Sequence, residues 1–331
     1  MLHLTIRRKR RLKASTLLLA TLLGHAAPRA LADGGDPEVG SASIVSFDDT
    51  AGTPDVAYLR SSDDYLVVYA NQLPSGNQNV YATRIDAATE AETTVAISVS
   101  SSVEPATPRV ASFAGAGCFV ATYVRNEEVY IRAYNPSSGL LGSELRISSG
   151  SAIENSSSPS ITGIAFEPSN TGEGGLVVWE VDNLATGESI IYARAILVPD
   201  DPSPDPILLP RFEVAKGTHP EANGNYGTVV VAYVEDLVEV RATSFVVTAV
   251  GSPASPITSS ILVASHLPHN APSHLRLCGD VSRFLLAWQR GDDDVLYRRL
   301  DTTSSAAGVT TAGVLEQVTT SGNVHYQPDV A

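Results

Sequence analysis

Carboxylates and imidazoles crowd the polar loops of this chain. Glu127 and Glu128, then Glu180, Asp182 and Glu188, then Glu235 and Asp236, then Asp292, Asp293 and Asp294 fall in loops that follow an apolar run ending in an aromatic residue. His219, His266, His269, His274 and His325 fall in the stretches linking one such unit to the next. Carboxylates gathered with imidazoles coordinate a divalent metal or attract a cationic ligand. Two carboxyls about 5 to 10 Å apart across a sugar hydrolyse a glycosidic bond. Solvated acids at hairpin tips also discourage aggregation, which is the plain reading in an acidic protein. The histidines lack metal-ligand spacing such as His-x-x-x-His, so no metal ligand set and no catalytic residue is assigned. No cofactor is expected, and calcium is the candidate ion for the acidic face.

What must position these residues is a repeat. A proline opens each unit, in "TPDVAY" at Pro54, "TPRVAS" at Pro108, "SPSITG" at Pro159, "HPEANG" at Pro220, "APSHLR" at Pro272 and "QPDVA" at Pro328. An apolar run ending in an aromatic follows: "LVVY" to Tyr69, "FVATY" to Tyr123, "LVVW" to Trp179, "VVVAY" to Tyr233 and "FLLAW" to Trp288. Near-continuous apolar runs suit strands buried on both faces. A third strand comes next, as in "VYATRI" and "IYARAI", and a weaker fourth, as in "TTVAIS" and "SELRIS". Four short strands per unit, with Gly, Ser, Asp and Asn loops and no helical period, predict an all-β propeller of four-stranded blades. One such sheet cannot hide both faces; stacking copies around a ring does. Five units are complete and a sixth stops within its first strand, which reads as a truncated ring of six or more blades or, as the alternative, five blades that close with rearranged ends. The segment "SASIVSF" (41–47) reads as the fourth strand of a composite closing blade. The insertion "PDDPSPDPILLP" (199–210) reads as a loop between the third and fourth strands of its unit.

The ends and the charge bound the setting. "RRKRRLK" (7–13) precedes the uncharged "ASTLLLATLLGHAAP", shorter than the about 20 residues of a membrane span, and "ALA" at Ala30–Ala32 is the small-x-small pattern of a signal-peptidase site. Residues 1–32 are read as a signal peptide and 33–331 as the propeller domain, secreted or periplasmic. That segment holds seven of the 22 Lys+Arg and none of the 36 Asp+Glu, leaving 15 against 36, a net charge of −21. Such a surface repels phosphate backbones and anionic lipid, arguing against nucleic acid and against membrane docking. Cys118 and Cys278 fall three units apart, too distant for a disulfide.

With "LVVW" followed by "IYARAI" after a "TPDVAY" type of opening, residues 41–331 resemble secreted bacterial β-propeller repeat proteins whose blades read Pro-x-Val-Ala, Leu-Val-Val-Trp and Ile-Tyr-Ala-Arg. Many of these are uncharacterised, so the resemblance implies a fold and export but no reaction. The Ser-x-Asp-x-Gly-x-Thr-Trp turn of sialidase-like propellers is missing, as are an Asp-x-Asp-x-Asp-Gly calcium loop, Gly-x-Ser-x-Gly and a phosphate-cradling glycine loop. Trp179 and Trp288 are the two tryptophans, both at ends of apolar runs and so read as core.

The geometry of a blade puts the loops between strands two and three on one face with the inter-blade connections. Glu127, Glu128, Glu180, Asp182, Glu235, Asp236, Asp292, Asp293, Asp294, His219, His269 and His325 are therefore the expected ligand-binding residues of that face. Tyr130/Arg132, Tyr192/Arg194 and Tyr297/Arg299, with Tyr81/Arg84 one residue longer, are expected to stack between blades. The function expected is a non-enzymatic scaffold presenting loops to an extracellular ligand or protein. A glycan hydrolase using acidic-face carboxylates and a structural surface-repeat protein are the alternatives.

Overall fold

The structure, a computed structural model, describes residues 6–7, 18–19, 54–73, 75–99, 107–164, 173–200, 205–225, 228–246, 255–256, 260–266, 271–279, 283–291, 294–302 and 309–317. Among these every regular element is a strand, and no helix is long and apolar enough to cross a membrane. The expected leader, the expected closing strand at 41–47 and the sixth opening at Pro328 lie outside the described residues, apart from a two-residue pairing of Ile6–Arg7 with Leu18–Leu19.

Five antiparallel sheets follow one another along the chain, each with its strands in sequence order from first to last. Blade 1 is Asp55–Leu59, Asp64–Gln72, Gln78–Asp86 and Glu92–Ser98. Blade 2 is Arg109–Phe113, Cys118–Arg125 and Glu128–Asn135, with an outer edge split into Leu140–Leu141 and Leu145–Arg146. Blade 3 has the longest strands, Glu154–Ile164, Glu173–Asn183, Glu188–Val198 and Ile207–Lys216. Blade 4 is Thr218–Asn225, Thr228–Glu235 and Glu239–Val246, again with a split edge, Ser255–Pro256 and Ile261–Ser265. Blade 5 is Pro272–Gly279, Arg283–Arg290, Asp294–Thr302 and Val309–Gln317. The first strands of consecutive blades pack against one another, so the sheets fan out from a shared axis as a β-propeller of four-stranded blades.

Burial explains why the second strands are apolar at every residue. Val177 and Trp179 point into a layer shared with Val120, Val124 and Ile131 of blade 2. Their neighbours Leu176 and Val178 point the other way, to Val229, Val231 and Phe245 of blade 4. Similar layers join blades 1 and 2 around Val68 and Phe119, and blades 4 and 5 around Val230 and Leu286. Each such side chain contributes about 1.5–3 kcal/mol by leaving water. Both tryptophans are fully buried, as expected of core residues. First strands approach so closely that a Cβ on Gly163 would lie 2.5 Å from the Ser112 carbonyl oxygen.

Polar clamps add to the apolar layers. The Glu173 carboxylate, almost buried, accepts the Gly115 N–H at 2.7 Å, tying blade 3 to a turn of blade 2, and burial raises its pKa. Arg132 donates to the Ile97 carbonyl of blade 1 at 2.7 Å, and Arg298 reaches the Val263 carbonyl of blade 4.

The register corrects four expectations. In blades 3 and 4 proline does not open the first strand: Pro159 and Pro220 sit inside it, at a β-bulge between Ser157 and Ser160 and between Thr218 and Glu221. A bulge spares the ladder bond that proline cannot make. In blade 5 the matching bulge runs from Ser273 to Arg276, so Leu275, not Pro272, stands level with Pro159 and Pro220. The insertion is a loop only in part, because Ile207–Pro210 already belongs to the outer strand of blade 3. Tyr297/Arg299 is out of step with the other basic-aromatic pairs: Tyr130 and Tyr192 oppose Tyr123 and Trp179, whereas Leu296 opposes Trp288. Leu296 and Arg298 thus fill those places in blade 5. The arginines that stack are Arg125 over Tyr130 at 4.3 Å and Arg211 over Tyr192 at 4.5 Å.

Neither Cys118 nor Cys278 is in a disulfide. Cys118 opens the second strand of blade 2, where burial pushes its pKa up to about 12.

Candidate functional site

The first strand of each blade has one edge with no strand beyond it, and those edges line the axis. Their N–H groups need acceptors. Asp55 of blade 1 accepts the Val110 N–H of blade 2 at 2.8 Å. Ser160 and Thr162 of blade 3 accept the Ala222 and Gly224 N–H groups of blade 4 at 3.1 and 3.0 Å. In blades 1 and 3 a polar residue thereby seals the inner edge of the next blade.

Register shows that these residues form a set. Asp55, Arg109, Ser160, Glu221 and Arg276 oppose Val68, Thr122, Val178, Ala232 and Ala287, each the residue before the aromatic that ends the second strand. Five blades therefore bring two acids, two guanidinium groups and a hydroxyl to one level of the axis. Arg109 of blade 2 lies 4.0 Å from Glu221 of blade 4, reaching past blade 3. Arg276 and Asp55 also act on Glu221 electrostatically. Burial raises the Glu221 pKa, while Arg109, Arg276 and a hydrogen bond with Ser160 oppose the rise.

The bulges build a second tier at the loop end of the same axis. Two residues before the axial position, Ser158, His219 and His274 take left-handed backbone, with φ of 48°, 53° and 51°. Such values are uncommon outside glycine, and histidine is among the residues that tolerate them. Both imidazoles are oriented alike. His219 Nδ1 pairs with Thr218 Oγ1 at 3.0 Å and His274 Nδ1 with Ser273 Oγ at 3.1 Å, the hydroxyl of the preceding residue in each case. The His274 ring also hydrogen-bonds the Gln289 side chain. Glu180, following Trp179, is buried and accepts the His219 backbone N–H at 3.0 Å, and burial raises its pKa. Burial lowers the pKa of both histidines; His274 adds to this at His219, and Arg276 and Arg109 add to it at His274.

The expected acidic loops are arranged differently. Glu127 stands exposed at its hairpin tip, and Glu128 accepts from Tyr130 at 2.9 Å and Arg146 at 3.2 Å. Asp182 accepts from Ser189 at 2.5 Å, and Glu188 pairs with Lys216 at 2.6 Å. Glu235 pairs with Arg241, Asp236 is an exposed tip, and Asp294 takes Arg290 and, at 2.7 Å, Gln317. These partners come from the same blade, so the rim is a series of separate ion pairs. Among the described residues no group of three or more His, Cys, Asp or Glu assembles that could hold a metal ion. Glu180 and His219 are the expected site residues that meet. His266 serves the core, accepting Trp288 Nε1–H at Nε2 at 3.0 Å. Asp292, Asp293, His269 and His325 lie outside the described residues.

Sequence reasoning missed the axial tier. A signal was present in "PDV", "PRV", "PSI" and "PEA", where the residue after proline is Asp55, Arg109, Ser160 or Glu221. Arg276 could not be found that way, because the blade 5 bulge carries Leu275 in place of proline.

No family model matches the chain, and no curated protein matches it by sequence. Solved structures similar to it include a putative 6-phosphogluconolactonase from Bacteroides uniformis, 9% identical over 78% of this chain and 70% of that one, with a TM-score of 0.45. The Dos1 propeller is 13% identical over 77% of this chain and 58% of that one, with a TM-score of 0.42. An exo-β-1,3-galactanase from Clostridium thermocellum is 11% identical over 77% and 60%, with a TM-score of 0.41. This chain thus spans well under two thirds of the last two. TM-scores below 0.5 carry no functional information.

Proposed function

We propose that this chain is an exported, non-enzymatic binding propeller whose ligand site is the loop-side mouth of its axis. One observation carries the reading: Asp55, Arg109, Ser160, Glu221 and Arg276 stand in equivalent register on five first strands and meet at one level. Convergent polar groups in an otherwise apolar frame are the usual make-up of a ligand site. Because they sit on strands, their positions are set by the blades and not by loops. The ligand is a periplasmic or extracellular molecule, or a protrusion of a partner protein narrow enough to enter the mouth.

A glycan hydrolase remains the second reading, favoured by one feature. Glu180 and Glu221 are two carboxyls near the mouth with pKa values raised by burial, a property of general acids. The same experiment separates the two. The full chain is screened against glycans, organic acids and basic peptides by thermal shift and for sugar release, beside Arg276→Gln and Glu221→Gln. Saturable binding without turnover, lost in Arg276→Gln but kept in the rim variant Glu235→Gln, supports the binding propeller. Sugar release abolished by Glu221→Gln would establish the hydrolase instead.

A further inference from the structure

We propose that the mouth bounded by Arg109, His219, His274 and Arg276 is an oxyanion site, taking a carboxylate or phosphate group of a small ligand. This rests on the mouth being the binding site, and it names the chemistry the site selects.

Charge placement supplies the first argument. The chain carries 22 Lys+Arg against 36 Asp+Glu. Yet two arginines and two histidines from three blades are gathered here: His219 and His274 occupy matching bulges of neighbouring first strands, Arg109 and Arg276 share the register level two residues on, both arginines act on His274, and His274 acts on His219. A protein so short of cations concentrates four nitrogen-bearing side chains at one point. Nitrogen donors recognise oxyanions through charge-assisted hydrogen bonds, with the guanidinium fork suited to two oxygens at once.

Two of the three carboxylates nearby are committed to backbone N–H groups, and the third, Glu221, stands below the imidazoles beside the arginines. Asp55 takes the Val110 N–H at 2.8 Å, and Glu180 takes the His219 N–H at 3.0 Å. Glu221 stands one tier deeper than the histidines, two residues beyond His219, with Ser160 and the two arginines as its company. None of the three is directed at the imidazole rings.

Preparation of the rings supplies the second argument. Two histidines at matching bulges take left-handed backbone and have Nδ1 held by the preceding hydroxyl. Uncommon backbone of this kind persists where surrounding structure enforces it, and functional sites are where it collects. An unliganded propeller needs no imidazole there, since Ser158 fills the same place in blade 3. Binding an anion favours the protonated rings, so affinity rises as pH falls. Among the described residues, the groups around the pair are Glu180 of blade 3, Arg109 of blade 2, Glu221 of blade 4, and Arg276 and Gln289 of blade 5.

Calorimetry on the full chain tests this, with inorganic phosphate, citrate and glucose at matched ionic strength, at about pH 5.5 and about pH 8, on either side of the imidazole range. Saturable binding of phosphate or citrate, tighter at the lower pH, is expected, and the tighter of the two names the group. Arg276→Gln, and the pair His219→Asn with His274→Asn, should each weaken it about tenfold or more, the size of one charged hydrogen bond. Asparagine accepts left-handed backbone, so the histidine pair carries the test if Arg276→Gln fails to fold. Failure of both anions to bind saturably, or equal binding by the variants, overturns the inference. Glucose or peptide binding in that case leaves the binding propeller standing while removing the oxyanion.

Discussion

Acidic and basic side chains occur both at the hairpin rim and at the axis of this propeller, and the two regions use them in opposite ways. At the rim, Glu235 meets Arg241, Glu188 meets Lys216 and Asp294 meets Arg290, each pair within reach of its own blade. At the axis, Arg109 reaches Glu221 two blades away, and Asp55 and Ser160 hold the backbone of the next blade. Rim charges thus report on single hairpins, and axial charges on the ring as a whole. The difference follows from sequence distance. A rim pair forms once a hairpin closes, but an axial pair needs whole blades in place.

Removing one partner from each region gives the largest contrast. Glu221→Ala removes the carboxylate on which Arg109 and Arg276 both act, at a place where the Glu221 side chain is only 13% exposed. It should cost about 3 kcal/mol or more in urea unfolding. Glu235→Ala, at the rim, should cost under about 1 kcal/mol. Equal losses would mean that the axis is no more coupled than the rim.

Next in size is a difference of sign with pH. Burial raises the Glu180 pKa above its usual 4.5, so its ionisation opposes folding as pH climbs past that value. Glu180→Gln, which still accepts the His219 N–H, should therefore raise the urea midpoint at neutral pH and change nothing below about pH 4. Glu144 behaves in reverse. Burial alone would raise its pKa, but hydrogen bonds from Tyr123 and Ser98 and the charge of Arg125 outweigh this and leave it lowered. Its stabilisation is present above 4.5 and lost as pH falls through the lowered value. Glu144→Gln should destabilise at neutral pH, with the loss fading on acidification. Parallel pH profiles for the two variants would refute the assignment.

The smallest expected effect is at a rim tip. Asn126 and Glu127 both take left-handed backbone, with φ of 53° and 58°, in a two-residue turn where glycine suits the second place. Glu127→Gly relieves that strain but adds unfolded-state entropy, so a gain of about 0.5 kcal/mol is expected in thermal unfolding. A loss would show that Glu127 makes a contact worth more than the strain.

Order along the chain was readable in advance because its cause is local. Runs such as "LVVW" and "IYARAI" alternate faces every residue, and a strand apolar on both faces has to be sandwiched whatever its partner is. That is enough to infer repeated sheets, their length and the burial of Trp179 and Trp288. The acidic tips were also visible in the letters, although their pairing into separate ion pairs was not. By contrast, a bulge adds a residue without changing composition, so nothing in "APSHLR" announced that Leu275 and not Pro272 holds the shared position. Asp55, Arg109, Ser160, Glu221 and Arg276 lie about fifty residues apart, and no local pattern links them. Their meeting is a product of how successive blades pack around an axis. Local periodicity governs what each strand buries, whereas charges drawn from separate blades become neighbours only through the assembled ring.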